Sequence, residues 1–148
     1  MIEHVAIVGA GFSGTLQAIN LIRHEGPRAT LIERAPVAGT GLAYGAAHPS
    51  HLLNVRAANM SAFPDDPGHL VRWLEARGVE NAATSFVPRR VYGEYLREML
   101  EEALARYPDR LRLLRGEVED VTFDADGATL HLADGRLQAD TAVLAGGG

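Results

Sequence analysis

Along the first thirty-odd residues the hydrophobic pattern changes its period twice, from a continuous apolar run to helical spacing and back to an apolar run. Residues 2–8 are almost continuously apolar and β-branched, which is typical of a central parallel strand that is covered on both faces. From Phe12 to His24 apolar side chains recur at helical spacing until Gly26-Pro27 ends the pattern. A short apolar run, Ala29–Glu33, follows. These elements predict a βαβ unit with a right-handed crossover.

The middle of the chain has a different character. Residues 34–66 show no sustained period and contain three glycines and three prolines, which indicates a functional loop or a hidden element. A helix is predicted over Pro67–Arg77, with Asp66 as its N-cap and Gly78 as the left-handed residue after it. A longer helix, Val91–Tyr107, has one apolar stripe and one charged face.

The last third of the chain is a strand region. Leu111–Leu114 is a third apolar strand, and three short alternating strands follow it, with turn signals at Asp126-Gly127 and Asp134-Gly135. Thr141–Ala145 is a further buried apolar strand that leads directly into three glycines. The pattern therefore predicts an α/β fold, in which a parallel sheet carries helices on its faces and is accompanied by a three-stranded antiparallel β-meander. We expect residues 1–148 to be one domain and the N-terminal piece of a longer protein.

Composition narrows the possible functions. A chain of 148 residues with 47% hydrophobic and 22% charged residues fits one soluble globular domain. A net charge of −5, without a basic cluster, argues against a nucleic-acid partner. The absence of cysteine excludes disulfides, thiolate nucleophiles and flavoenzymes of the disulfide-reductase type. The scattered histidines predict no metal site. The N-terminus resembles neither a signal peptide nor a membrane span, so we expect no membrane partner and a cytoplasmic location.

The candidate chemistry lies where the first strand meets the first helix. Gly9, Gly11 and Gly14 form a GxGxxG pattern in that position. In a dinucleotide-binding site the first glycine permits the turn, the second admits a pyrophosphate and the third allows close helix packing. The N–H groups and positive dipole at the helix start then hold the phosphates. Ser13 either adds a hydroxyl to a phosphate or simply occupies the first helical turn.

An acidic residue follows at the expected distance. Glu33 lies nineteen residues after Gly14, close to the spacing of the acid that binds the ribose hydroxyls of an adenine dinucleotide. A carboxylate there disfavours the 2′-phosphate of NADP. The guanidinium of Arg34 beside it could attract that phosphate, but the preferred interpretation is that Arg34 stacks on or near the adenine. The alternative interpretation is a tight βα turn followed by a solvent-exposed strand end.

Several longer segments carry a family resemblance, namely VAIVGAGFSG, LIER, GTGLAYG, HLLNVRAANMSAFPDDP and PRRVYGEYL. They resemble the bacterial FAD/NAD(P)-binding oxidoreductase family, and the element order is similar to the FAD domain of the glutathione-reductase structural class. The resemblance covers nearly the whole chain. It implies a Rossmann-like FAD/NAD(P)-binding fold with FAD as the cofactor and NAD(P)H as a co-substrate.

The resemblance also implies roles for individual residues. The pyrophosphate would meet Gly9, Gly11, Phe12, Ser13 and Gly14, and the adenosine half would meet Glu33, Arg34 and the backbone of Val118. Loop glycines close to the cofactor would be Gly39 and Gly41. Residues placed near the flavin are Asn54, Arg56, Met60 and Ser61. Gly147 stands in the last turn, where related flavoproteins commonly have Ala-Thr-Gly; here Ala145 is followed by glycines, so that contact with the flavin differs.

The predicted function is the FAD-binding domain of a flavin-dependent oxidoreductase with an unspecified small-molecule substrate. An N-hydroxylating flavin monooxygenase is a narrower version. A non-catalytic NAD(H)-binding or sensing module is the alternative, and a third is a chain that binds nothing tightly alone. No residue is a convincing catalytic acid, base or nucleophile. Arg89 and Arg90 either attract an anion or are surface charges, and the sequence leaves the oligomeric state open.

Overall fold

The computed structural model describes residues 3–23, 26–34 and 52–145, with only the backbone of residues 52–55. The strands are β1 (His4–Val8), β2 (Arg28–Glu33), β3 (Leu52–Arg56), β4 (Phe86–Pro88), β5 (Leu111–Arg115), β6 (Val118–Asp124), β7 (Gly127–Leu132), β8 (Gly135–Ala139) and β9 (Thr141–Leu144). The helices are α1 (Phe12–Arg23), α2 (His69–Ala76) and α3 (Arg89–Arg106), with short 3-10 helices at Ala57–Asn59 and Ala82–Thr84.

A parallel sheet in the order β5-β2-β1-β9 forms the centre of the described chain. In β1, Ile7 pairs with Leu31 of β2 on one side and with Val143 of β9 on the other. The continuous apolar run of β1 fits this position, because side chains on both faces of a central parallel strand are buried. The predicted central strand is therefore confirmed.

The two faces of the sheet carry different layers. Ile7 and Leu31 belong to a hydrophobic cluster that includes the buried faces of α1 and α3. Ala6 and Ile32 point to the opposite face and cluster with Ala128, Leu130 and Ala139 of the meander. Helices thus cover one face and the meander covers the other, which confirms the predicted parallel sheet, helices and three-stranded meander.

The meander follows its predicted turns. β6, β7 and β8 pair as consecutive antiparallel strands, and the turns lie at the two Asp-Gly signals. Gly127 has a φ of 129°, and a Cβ at this residue would lie 2.4 Å from the carbonyl oxygen of Ala139. Only glycine fits this turn without displacing the neighbouring strand.

The strand β9 differs from the prediction. It pairs with β1, but Leu144 is 66% exposed, so β9 is not the buried strand expected from its apolar sequence. Within the described residues β9 lies at the edge of the sheet, where a second strand neighbour is absent. Val143 and Ala142 are partly buried against the two hydrophobic clusters on opposite faces of the sheet, and Leu144 faces a cavity.

The start of α2 also differs from the prediction. The helix spans His69–Ala76, with Gly68 as the N-cap and no side-chain capping bond. The carboxylate of Asp66 forms an ion pair with Arg72 instead, while its carbonyl oxygen accepts a hydrogen bond from the His69 N–H at 3.1 Å. The predicted Asp66 cap is wrong because the helix begins three residues later, at His69, and the Asp66 carboxylate pairs with Arg72. Gly78 has a φ of 86°, which confirms the predicted left-handed end.

The helix α3 buries the predicted stripe and solvates the predicted charged face. It begins at Arg89, two residues earlier than expected. On its charged face the ion pairs are Arg90–Glu94 and Arg97–Glu101, both at i,i+4 spacing. Among the described helices none is long and apolar enough to span a membrane.

The irregular middle segment contains an element that the pattern did not predict. Strand β3 pairs with β4 in a small antiparallel ribbon, with Leu52 opposite Pro88 and Arg56 opposite Phe86. The register shifts between these two pairs, so the ribbon lacks the regular alternation that identifies a strand in a sequence.

Candidate functional site

The glycine turn between β1 and α1 has the geometry that the sequence predicts. Gly9 adopts a φ of 101°, and its N–H donates to the carbonyl oxygen of Ile32 in β2 at 2.8 Å. A Cβ on Gly14 would lie only 1.8 Å from the carbonyl oxygen of Gly9. The turn therefore needs the conformational freedom of Gly9 and the missing side chain of Gly14.

Glu33, the last residue of β2, forms a hydrogen bond with the glycine turn. Its side chain is only 6% exposed, and Oε2 accepts a hydrogen bond from the Ala10 N–H at 3.0 Å. A hydrogen bond from a backbone amide to a buried carboxylate is charge-assisted and orders both groups. The interpretation of Glu33 as a solvent-exposed strand end is wrong.

A cavity of about 270 Å³ opens beside this pair at the carboxyl ends of the parallel strands. Its lining consists of Val8, Gly9, Gly11, Ile32, Glu33, Arg34, Gly116, Glu117, Val118 and Leu144. In an open α/β sheet, ligands bind outside the carboxyl ends of the strands, where the loops meet. Five residues predicted from the sequence share this one cavity: Gly9, Gly11, Glu33, Arg34 and Val118.

The rim of the cavity is held by the connection from β5 to β6. The Gly116 N–H donates to the carbonyl oxygen of Glu33 at 3.0 Å, which fixes this connection to the end of β2. Arg34 is exposed and lies 3.7 Å from Oε1 of Glu117, so the rim carries a solvated ion pair. Its guanidinium is available to a flat ring system as well as to the carboxylate.

The remaining predicted residues divide into two groups. Phe12 packs its ring edge-on against Tyr92 of α3, with centroids 5.1 Å apart, so its side chain serves the core. Ser13 is exposed on α1 and accepts a hydrogen bond from Gln17 Nε2 at 3.1 Å, as a residue of the first helical turn. Met60 packs against the main core.

The other residues predicted to lie near the flavin either contact other parts of the protein or are not fully described by the structure. Ser61 Oγ donates to the carbonyl oxygen of Asp66 at 2.7 Å, which stabilises the segment before α2. Arg56 is exposed, with its guanidinium 5.4 Å from the centre of the Phe86 ring. For Asn54 only the backbone is described, in β3. Of the predicted cofactor-binding residues, Gly39, Gly41 and Gly147 lie outside the residues that the structure describes.

The groups with shifted pKa values lie away from the cavity, in the helical layer and at the start of β1. Burial raises the pKa of Tyr92 and of Tyr95 in α3. Burial lowers the pKa of His69, whose Nδ1 lies 2.8 Å from the Tyr95 hydroxyl oxygen. The described residues contain no cluster of three or more side chains suited to a metal ion.

The cavity combines three recognition elements. The first turn of α1 contains no acidic residue of its own, so its dipole and N–H groups offer a positive end to an anion. Glu33 offers carboxylate oxygens to hydroxyl donors next to that end. Apolar walls from Val8, Ile32 and Leu144 suit an uncharged ring. Diphosphate, ribose and adenine are the groups that these elements match.

Some residues of the cavity lining were not predicted from the sequence. Gly116, Glu117 and Leu144 are distant in sequence from the glycine turn and reach it only through strand pairing. A usable signal does exist for Gly116, because it follows the carboxyl end of a predicted parallel strand. That edge of the sheet collects ligand-binding loops.

Comparison with known proteins identifies the family and the fold of the chain. Residues 6–148 match the family described as FAD-NAD(P)-binding. Among solved structures, the lysine monooxygenase NbtG from Nocardia farcinica superposes with a TM-score of 0.62 at 21% identity, covering 95% of this chain and 42% of NbtG. A flavin monooxygenase from Stenotrophomonas maltophilia gives a TM-score of 0.63 at 19% identity, covering 95% of this chain and 37% of that enzyme.

A third structure contains a bound flavin. CtdE, solved in complex with FAD and a substrate, has a TM-score of 0.65 at 16% identity, covering 96% of this chain and 37% of CtdE. At these identities the likeness establishes the fold. The chain spans less than half the length of the structures it matches. No curated protein matches the sequence at a significant level.

Proposed function

We propose, from the premise that the chain belongs to the FAD-NAD(P)-binding family, that it forms the FAD-binding domain of a flavin-dependent oxidoreductase whose electron donor is NAD(P)H. The observation that carries this proposal is the cavity shared by the glycine turn and Glu33. Residues 1–148 are proposed to form this one domain. The cytoplasmic, bacterial setting that the sequence indicates belongs to the same proposal.

The described residues suit the adenosine diphosphate half of FAD. The N–H groups of the glycine turn and the start of α1 would hold the diphosphate, and Glu33 would accept hydrogen bonds from the ribose hydroxyls. Arg34 and the backbone of Val118 would border the adenine. Each of these residues except those of the α1 backbone lines the cavity, so one ligand could meet them together.

FAD, when bound, supplies the redox chemistry of such an enzyme, and the protein supplies binding, orientation and electrostatics. The residues that line the described cavity would perform the binding part of this division. Two of the structural neighbours, NbtG and the enzyme from Stenotrophomonas maltophilia, are monooxygenases, and two others are thioredoxin reductases, a class whose redox-active dithiol has no counterpart in this cysteine-free sequence. An N-hydroxylating flavin monooxygenase is therefore the narrower form of the proposal, and its substrate is not specified by the cavity.

A non-catalytic NAD(H)-binding module is the second candidate. The observation that favours it is that the described cavity matches the adenosine diphosphate half, which FAD and NAD share. The two candidates differ in the second half of the ligand, and a binding experiment with the complete dinucleotides separates them.

The test is the visible absorption spectrum of the purified protein, followed by chromatography of the cofactor released on heating. We expect a flavin spectrum and FAD at near-equal molarity, or uptake of added FAD if the cofactor is lost during purification. A colourless protein that takes up NADH but not FAD would overturn the flavin assignment and support the NAD(H)-binding module.

A further inference from the structure

The start of α3 contains a buried polar group that lies outside the lining of the cavity. Nε of Arg89 is buried and has no hydrogen-bond partner among the residues that the structure describes. Burying a charged donor without a partner is costly, so such groups in proteins are paired with an anion or a carbonyl oxygen. An anionic ligand would supply the acceptor that this Nε lacks among the described residues.

The position of Arg89 at the start of α3 adds a second unfavourable contribution to the energy of its positive charge. Arg89 is the first residue of α3, an 18-residue helix with no acidic residue in its first turn and no side-chain cap. The positive end of the helix dipole favours negative groups, and an arginine here adds like charge to it. An anion at the start of α3 would stabilise both the unpaired Nε of Arg89 and the positive end of the helix dipole.

The helix packing places this positive end beside the glycine turn. Phe12, the first residue of α1, contacts Tyr92, one turn after Arg89 in α3. Ile19 and Met99, each seven residues further along its own helix, border the same surface depression. The two helices therefore run parallel, with their amino ends together.

We propose that Arg89 is a cofactor-binding residue whose guanidinium holds the diphosphate of the dinucleotide, together with the amino ends of α1 and α3. This inference rests on the proposed function, because it takes the glycine turn as a diphosphate site. The planar guanidinium presents several N–H donors in a fixed geometry that matches phosphate oxygens. Lysine at this residue would keep the charge and lose that geometry.

Arg90 provides a matched control. It is the next residue of the same helix, its side chain is 54% exposed, and its Nε lies 4.0 Å from Oε1 of Glu94. Substitution of Arg90 removes the same charge from the same helix turn and leaves the buried donor of Arg89 in place. Any long-range effect of net charge on an anionic ligand is therefore common to both variants.

The experiment measures the dissociation constants of FAD, ADP and adenosine for the unsubstituted protein and for Arg89→Gln, Arg89→Lys and Arg90→Gln. We expect Arg89→Gln to weaken FAD and ADP by about 10- to 100-fold, the range for loss of a hydrogen bond to a charged group. Adenosine, which lacks the diphosphate, should bind equally to all four proteins. Arg89→Lys should fall between the unsubstituted protein and Arg89→Gln, and Arg90→Gln should change each constant by less than about threefold.

Thermal unfolding of the ligand-free proteins separates this role from a structural one. Removal of an unpaired buried donor should leave the melting temperature of Arg89→Gln unchanged or raise it. Equal affinities of Arg89→Gln and Arg90→Gln for ADP, or a parallel loss of adenosine binding, would overturn the inference. Failure of the unsubstituted protein to bind FAD or ADP would overturn the proposed function itself, a separate result that is visible before any variant is compared.

Discussion

The carboxylate of Glu33 accepts a hydrogen bond from the Ala10 N–H at 3.0 Å, and this contact joins the end of β2 to the middle of the glycine turn. Ala10 is fully buried, so its N–H has no access to solvent. The same side chain that lines the cavity thus orders the backbone that forms the cavity wall. Glu33 therefore combines this structural contact with the ribose-binding role proposed above, and substitutions there should separate the two.

Glu33→Ala should lower the free energy of unfolding by about 1–3 kcal/mol, because the buried Ala10 N–H loses its acceptor. Glu33→Gln retains an oxygen that can accept this bond and should keep most of the stability. Urea denaturation of the two variants measures the difference. Equal stability of Glu33→Ala and the unsubstituted protein would show that the turn does not depend on this hydrogen bond.

The negative charge of Glu33 should make the cavity discriminate against a 2′-phosphate. We expect 2′,5′-ADP, which differs from 5′-AMP only by a phosphate on the ribose 2′-oxygen, to bind at least about tenfold more weakly than 5′-AMP, since a carboxylate repels that group. In Glu33→Gln the discrimination should shrink. Competition titrations with the two nucleotides provide the measurement, and Glu117→Gln on the exposed rim is the control for loss of one negative charge. A preference for 2′,5′-ADP would contradict the ribose role of Glu33.

Gly14→Ala should destabilise the protein despite the better helix propensity of alanine. The propensity gain is about 1 kcal/mol. The new Cβ would lie 1.8 Å from the carbonyl oxygen of Gly9, and relieving that overlap requires the helix to move away from β1. Overpacking of this kind costs about 1–3 kcal/mol or more, so the net effect is unfavourable.

Thermal melting measures this effect, and Gly135→Ala is the matched control. No atom lies within 4 Å of the Cβ that this substitution would add, apart from the chain neighbours of Gly135. We expect a change within about 0.5 kcal/mol at Gly135. A melting temperature for Gly14→Ala equal to that of Gly135→Ala would show that the turn and α1 can separate without cost.

Asp140 should contribute to stability in a pH-dependent way. Its Oδ2 accepts hydrogen bonds from the N–H groups of Glu3 and His4 at 2.8 and 2.7 Å, and these bonds lower the pKa of the Asp140 carboxyl. A carboxyl whose pKa is lower in the folded protein stabilises it above the pKa of the unfolded chain, about 3.9. That stabilisation is lost as the pH falls through the lower, folded pKa.

Asp140→Asn should therefore unfold at a lower denaturant concentration than the unsubstituted protein at pH 7, and the gap should narrow below about pH 4. Asp134→Asn, in the exposed turn between β7 and β8, is the control. The measurement is the denaturation midpoint of each protein across this pH range. A gap that stays constant down to pH 2 would exclude the charge of Asp140 as its cause.

Local patterns predicted the part of the site that is local in sequence. Gly9 and Gly14 could be assigned because strand, turn and helix are adjacent in the chain, and each glycine is required by a neighbour within that unit. The position of Glu33 followed from the second strand of the same unit. Its hydrogen bond to Ala10 could not be predicted, because the pattern does not specify which way a side chain at a strand end turns.

Features that depend on tertiary neighbours were missed or misassigned. Asp66 has the residue type of an N-cap, but the helix begins three residues later, at His69, and the Asp66 carboxylate pairs with Arg72 instead. Leu144 has the sequence context of a buried strand, and its exposure results from its place at the edge of the described sheet. Such outcomes are decided by side chains that are remote from the pattern being interpreted.

The position of β1 between β2 and β9 has a consequence for biosynthesis. Val5 pairs with Ala29, which is close in sequence, and also with Thr141, which lies 136 residues away. During translation the first strand can form only half of its ladder until residues 141–144 have left the ribosome, and contacts of such long sequence separation form slowly. The wall that Leu144 adds to the cavity is therefore among the last of these parts to assemble, and a nascent chain lacks this wall until nearly all of residues 1–148 have been synthesised.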